Sequence, residues 1–350
     1  MPEQIPVFRR PEIPVVGAAS DAQKAEAQQN IQDHFSNNRD QVSSKFADRL
    51  RMLEYPKHDF EQAAIKDINA LLNRVLEELD LPTFDIPKTN IYSVPQGLYK
   101  EIDGRTNIDS NGFTALQEQV IVLNSENLDH PYSRIAVLLH EMIHLKGFIS
   151  IEAGEDTTDL RRVGLEAHSS IKKTKRYKQP VRHFIGLNEA VVSELQKRLF
   201  QKVISNNPHL TREKMILASE QGKTGLARAT KKEGLPEDEF VYAFTMGNDP
   251  EKDDWEAFTF PYRPQRIVLD YIVRTIQKTY SDEFPHQDDV FQIFLKAHFG
   301  GQLVALARVV DDTFGTGAFR KIGGMTGKDS ESAFRVLAYL KKNTPLESRE

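Results

Sequence analysis

His140-Glu141-Met142-Ile143-His144 places two imidazoles and a carboxylate within one helical turn and a half. On an α-helix, residues four apart share a face, so both imidazoles can bind one metal ion. Glu141 falls beside that face, where its carboxylate can take a proton from a metal-activated water. A chain of this composition contains about 0.02 chance matches to the pattern, too few for coincidence to be the favoured explanation. Ile135, Val137, Leu138, Leu139, Met142, Ile143 and Leu145 surround the motif with apolar side chains. They predict a buried helix with Ser133 as N-cap and Gly147 as its stop. Burial holds metal ligands still, and it makes two histidines and a glutamate costly to keep there without a use.

A catalytic zinc site normally has three protein ligands and a water. In the pattern H-E-x-x-H-x-x-G-x-x-H, Gly147 would fit the glycine, but Ser150 occupies the place of the third histidine. The third ligand must then come from elsewhere. Leu187-Asn188-Glu189-Ala190 opens an apolar-periodic segment, with Asn188 as the predicted cap and Glu189 in the first turn. The helix dipole favours a carboxylate there with or without a metal. His168, His183, Glu155, Asp156 and Asp159 flank the same region and stand as alternative ligands.

Together, His140-Glu141-x-x-His144 and the downstream Leu187-Asn188-Glu189-Ala190 resemble the gluzincin group of zinc metallopeptidases, in particular bacterial members in which an LNEA segment opens the second helix. The specific likeness covers the stretch around these two helices, with a vaguer one from Gly300-Gly301-Gln302 to Phe319. It implies a single Zn2+ held by His140, His144 and Glu189, Glu141 as general base, and a peptide or protein as substrate. Many gluzincins carry an acid four residues after the ligand glutamate to hold a zinc histidine. Ser193 stands at that position here and Glu194 one residue later, leaving Ser193, Glu194 or another group to take the role. An oxyanion-stabilising Tyr or His is implied from the helical lobe, with Tyr262 the first candidate and His286 and His298 behind it. No G-x-M-E-N segment for gripping a free amino terminus is present, which inclines the expectation towards endopeptidase action. The competing readings are a catalytically inactive zincin-like scaffold and a helical protein with a coincidental motif.

The elements that must position these residues follow from periodicity. His58 to Leu79 has the spacing of an amphipathic helix. Thr89 to Val94 and Gln119 to Leu123 read as strands, with turns at Asp103-Gly104 and Asn111-Gly112. Gln119 to Leu123 is open to being either the edge strand beside the active helix or a central one. Phe148 to Glu152 and Arg161 to Glu166 read as two further strands. The basic run Lys172, Lys173, Lys175, Arg176 and Lys178 reads as a solvated hairpin tip. Helices are predicted at 188–204, 265–280, 288–299, 302–314 and 330–342, while 205–263 is polar and unassigned. The expected fold is α+β and zincin-like, with a small N-terminal mixed sheet, an active-site helix and a mainly helical C-terminal lobe. Its expected divisions are a disordered or extended arm at 1–20, the N-terminal helices, sheet and active helix at 21–147, and a hairpin, third-ligand helix and helical lobe at 148–350.

Composition narrows the partners. The 350 residues carry 46 basic and 51 acidic side chains, a net charge of −5, which gives no electrostatic reason to expect nucleic acid or an anionic membrane. The chain has no cysteine, which excludes disulfides, Cys-ligated zinc and thiol nucleophiles. No apolar run reaches signal-peptide or membrane-span length, so the expected location is cytoplasmic, with specialised secretion left open.

Overall fold

The computed structural model describes residues 9–36, 50, 52–103, 110–154, 158–169, 181–245 and 255–344. It is an α+β protein built around the His140 helix. In chain order, the first elements are β1 (Val15–Val16), α1 (Asp21–Ser36), α2 (Asp59–Glu78), β2 (Ile91–Val94), α3 (Gln96–Asp103), β3 (Gly112–Ala115) and β4 (Val120–Asn124). The motif helix α4 (Pro131–Lys146) is followed by β5 (Ile149–Ala153), β6 (Thr158–Val163), β7 (Glu166–Ser169), β8 (Val181–His183) and α5 (Ile185–Asn206). Next come α6 (Thr211–Ala218), α7 (Glu220–Glu233) and a hairpin of β9 (Phe240–Thr245) and β10 (Trp255–Thr259). The helices α8 (Arg263–Thr279), α9 (Gln287–Gly300), α10 (Leu303–Phe314), α11 (Ala318–Ile322) and α12 (Ser330–Asn343) complete the chain. Among the described residues, no helix is long and apolar enough to cross a membrane.

The motif helix begins differently from the sequence expectation. His130, not Ser133, is the N-cap: its Nδ1 accepts the Tyr132 N–H at 3.1 Å, and Pro131 takes the first helical position, where a missing N–H costs nothing. Ser133 lies inside the first turn and donates its hydroxyl to the His130 carbonyl at 2.7 Å. Gly147 does end the helix, with an extended backbone. Its lack of a side chain matters for space, since a Cβ there would lie 3.0 Å from the His144 carbonyl oxygen and 3.2 Å from His298 Nε2. Ile135, Leu138, Leu139, Met142, Ile143 and Leu145 are all buried in one large core shared with α2, α5, α8 and α9. Fully burying each such side chain contributes about 1.5–3 kcal/mol, so α4 is held from nearly every side.

Three strands lie against this helix in the order β2-β4-β3, with β4 parallel to β2 and antiparallel to β3. The Gln119 to Leu123 stretch therefore supplies the central strand. The edge strand against α4 is β3, which begins in the segment expected to be a turn. Gly112 permits that approach: a Cβ would come within 2.6 Å of Val137 Cγ1 and 3.3 Å of Glu141 Cγ.

A second sheet has the order β1-β5-β6-β7-β8, with β1 parallel to β5 and the other pairs antiparallel. Arg161 to Glu166 is not one strand but the end of β6, a turn through Gly164 (φ +55°) and the start of β7. The basic run from Lys172 to Lys178 lies outside the described residues, as do Glu155 and Asp156. The unassigned 205–263 region supplies α6, α7 and the β9–β10 hairpin.

Residues 9–14 form neither helix nor strand and lead into β1. They also send Arg10 into the core, where it is 6% exposed. Its guanidinium donates to Gln119 Oε1 at 2.7 Å, to the Leu145 carbonyl at 2.8 Å and to the Gly147 carbonyl. Two of these acceptors lie at the C-terminal end of α4, where the helix dipole favours a cation. Lys146 is buried beside it, bonded to Asn73 Oδ1 and the Phe84 carbonyl, and both cations lie over the Phe84 ring.

Candidate metal centre

Helices α4 and α5 pack together and bring three donor atoms to one point. His140 Nε2 and His144 Nε2 are 3.1 Å apart, and each is 3.3 Å from Glu189 Oε2. Among the described residues, this is the one group of His and acidic side chains arranged to hold a metal ion. The three side chains are only 9%, 12% and 16% exposed.

Burial opposes charge on His144, but the Glu189 carboxylate outweighs it, and with Glu141 and Glu166 raises the imidazole to about 9. Burial would likewise raise the Glu189 carboxyl, yet His144 and His140 hold it far below the usual carboxylate range. Without a metal, the carboxylate draws a proton onto His144. A divalent cation at that point would replace the proton.

The alternative ligands lie elsewhere. His168 donates to Glu166 at 2.6 Å, and Arg182 grips the same carboxylate through Nε and Nη2. His183 and Asp159 are exposed on β8 and β6. Ser150 sits in β5 opposite Arg162.

Asn188 is not the cap of its helix. Phe184 precedes the first turn of α5 in a left-handed conformation (φ 64°), its amide bonded to the Gly323 carbonyl at 2.9 Å. Asn188 Oδ1 instead accepts the Leu165 N–H at 3.0 Å and lies 3.1 Å from His298 Nδ1. His298 is buried behind the cluster, with Nε2 3.4 Å from the Ile143 carbonyl. Burial and the neighbouring His144 hold it down to about 3, so this imidazole is neutral and structural rather than a cleft group. His286 caps α9 at the surface.

Around the three donors stand two further groups. Thr114, on the edge strand β3, donates its hydroxyl to Glu141 Oε2 at 2.8 Å. Tyr262 precedes α8, also left-handed (φ 57°), and its ring stacks on His140 with centroids 5.9 Å apart. Glu189 first, then burial and Glu141, push its phenol pKa up. Gly327 closes this side, since a Cβ there would meet both Glu189 Cγ and Tyr262 Cε1 at 3.4 Å.

The partner of His140 is neither residue considered from sequence. Ser193 Oγ is buried with no hydrogen-bond partner among the described residues, and Glu194 pairs with Arg198 at 2.8 Å. Gln196 takes the position instead, its Oε1 3.2 Å from His140 Nδ1 and its Nε2 donating to the Ala136 carbonyl at 2.8 Å. Gln196 lies seven residues after Glu189, two helical turns along the same face. That spacing was the available sequence signal.

These groups can bind a metal, position a carboxylate base and offer a phenolic donor beside it. Comparison with protein-family models, curated proteins and solved structures finds no match to this chain.

Proposed function

We propose that this protein is a zinc-dependent peptidase of the gluzincin type, with a zincin-like fold. The observation that carries the proposal is the triangle formed by His140 Nε2, His144 Nε2 and Glu189 Oε2, with edges of 3.1, 3.3 and 3.3 Å. Tetrahedral zinc with ligand bonds of 2.0–2.1 Å requires donor separations of about 3.3 Å. Two imidazoles and one carboxylate are also a donor set that suits zinc and leaves a position for water.

When bound, zinc supplies a Lewis acid that brings the pKa of a water towards ~7 and polarises a carbonyl. The chain's own residues do the rest. Glu141, with Oε2 held by Thr114, has Oε1 to take the proton of the attacking water and pass it to the leaving nitrogen. Tyr262 offers its hydroxyl to the oxyanion of the tetrahedral intermediate, as its position against His140 and Glu189 allows. The edge strand β3 can pair with an extended peptide, laying a scissile bond along α4.

Metal analysis and digestion of a peptide library test this. The wild type is expected to hold one zinc and cleave peptides. Glu141→Gln should keep the zinc and lose cleavage by about 10²–10⁴-fold. A wild type that binds zinc without cleaving any peptide would make the site a non-catalytic scaffold, and no zinc at all would dismiss the metal.

A further inference from the structure

Gln196 has two ends, and the structure fixes which is which. A carbonyl oxygen only accepts, so the atom 2.8 Å from the Ala136 oxygen must be the amide nitrogen. The other end, 3.2 Å from His140 Nδ1, is then the amide oxygen, which also only accepts. His140 Nδ1 must therefore carry a proton. A neutral imidazole with its proton on Nδ1 has a bare lone pair on Nε2, the atom that faces His144 and Glu189.

We propose that Gln196 is the residue that positions His140 for metal binding, locking its tautomer and ring plane through a neutral amide. This deepens the zinc reading and rests on it. Gln196 is 1% exposed, so bulk solvent does not compete for either end. An amide is what the place requires. A carboxylate would set one oxygen against His140 Nδ1 and the other against the Ala136 oxygen, where only a donor fits. The common carboxylate–histidine pairing is thus replaced by one that adds no negative charge, leaving Glu189 and Glu141 as the carboxylates at the site. The Ala136 bond ties the amide to the backbone one turn before His140, so amide and imidazole are referenced to the same helix.

Zinc affinity and ring-nitrogen spectra test the proposal without any activity. By competition with a chromophoric chelator, Gln196→Met, which keeps the length and loses both hydrogen bonds, should raise the zinc Kd by about 10–100-fold. Ser193→Ala and Glu194→Ala should leave it within about twofold. In wild type, nitrogen-15 spectra of the histidine rings should show His140 protonated at Nδ1, with a slowly exchanging proton that Gln196→Met loses. Equal zinc affinity in Gln196→Met, or an unprotonated Nδ1 in wild type, would overturn the role. Should Gln196→Met not fold, the wild-type spectrum decides alone. If the wild type takes up no zinc, the metal reading falls, and the zinc-free spectrum still decides whether Gln196 sets the tautomer.

Discussion

Replacing Arg10 by methionine should loosen the end of the motif helix that follows His144. Arg10 donates to three neutral acceptors, Gln119 Oε1 and the carbonyls of Leu145 and Gly147, in a setting where it is 6% exposed. Each acceptor left unmet costs about 1–3 kcal/mol. Against that, methionine spares the burial of a charge, which already lowers the guanidinium pKa to about 9, and it keeps an apolar contact with Phe84. The balance comes to a loss of about 3–5 kcal/mol, the lower part of what three unmet acceptors would cost together. Urea unfolding of metal-free protein would measure it, with Arg10→Lys intermediate because one ammonium cannot span all three acceptors. The affinity of the proposed zinc site should fall in parallel, since Leu145 and Gly147 adjoin its donor His144. A loss below about 1 kcal/mol, with an unchanged urea slope, would refute the clamp.

Two other perturbations probe separate links. Thr114→Val removes a hydrogen bond to a carboxylate worth about 1.5–3 kcal/mol, so kcat on a cleaved peptide should fall about 10–100-fold with KM little changed, while Thr114→Ser retains most of it. Burial would raise the Glu239 carboxyl, but Arg266 and Lys197 hold it down to about 2 from an ordinary value of 4.5. A depressed carboxyl contributes stability above its unfolded pKa and loses it as pH falls towards the folded one. That contribution is about 3 kcal/mol, so Glu239→Gln should lie well below wild type in urea at pH 7, and the gap should narrow between pH 4.5 and 2.

What was legible in the sequence was whatever repeats with a period. The apolar spacing of 58–79 and 188–204 located α2 and α5, and the i, i+4 histidines with Glu189 named the three donors that converge. What escaped was set by contacts distant in sequence. Strand β3 is short and half-buried, and its first residue is a glycine because α4 passes over it, so locally it looks like a turn. Ser133 and Asn188 have the residue types of helix caps, but a histidine and a left-handed phenylalanine take those positions, the latter backed by Gly323. Gln196 is neither an acid nor four residues after Glu189, although the requirement at Nδ1 is only for an acceptor. Arg10 sits in a proline-rich stretch with no pattern that announces a buried cation.

His298 gives the centre an order of assembly. It touches the Ile143 carbonyl on the motif helix and Asn188 beside Glu189, while the Gly147 and Gly164 backbones crowd its ring. A chain made from its N-terminus has all three clustered donors once Glu189 emerges, but the histidine that bridges their helices arrives more than a hundred residues later. During synthesis, then, the donor atoms exist before the last of their supports does. A chain stopped short of α9 carries every donor atom and the Gln196 tie, but lacks the His298 contacts that join Ile143 to Asn188.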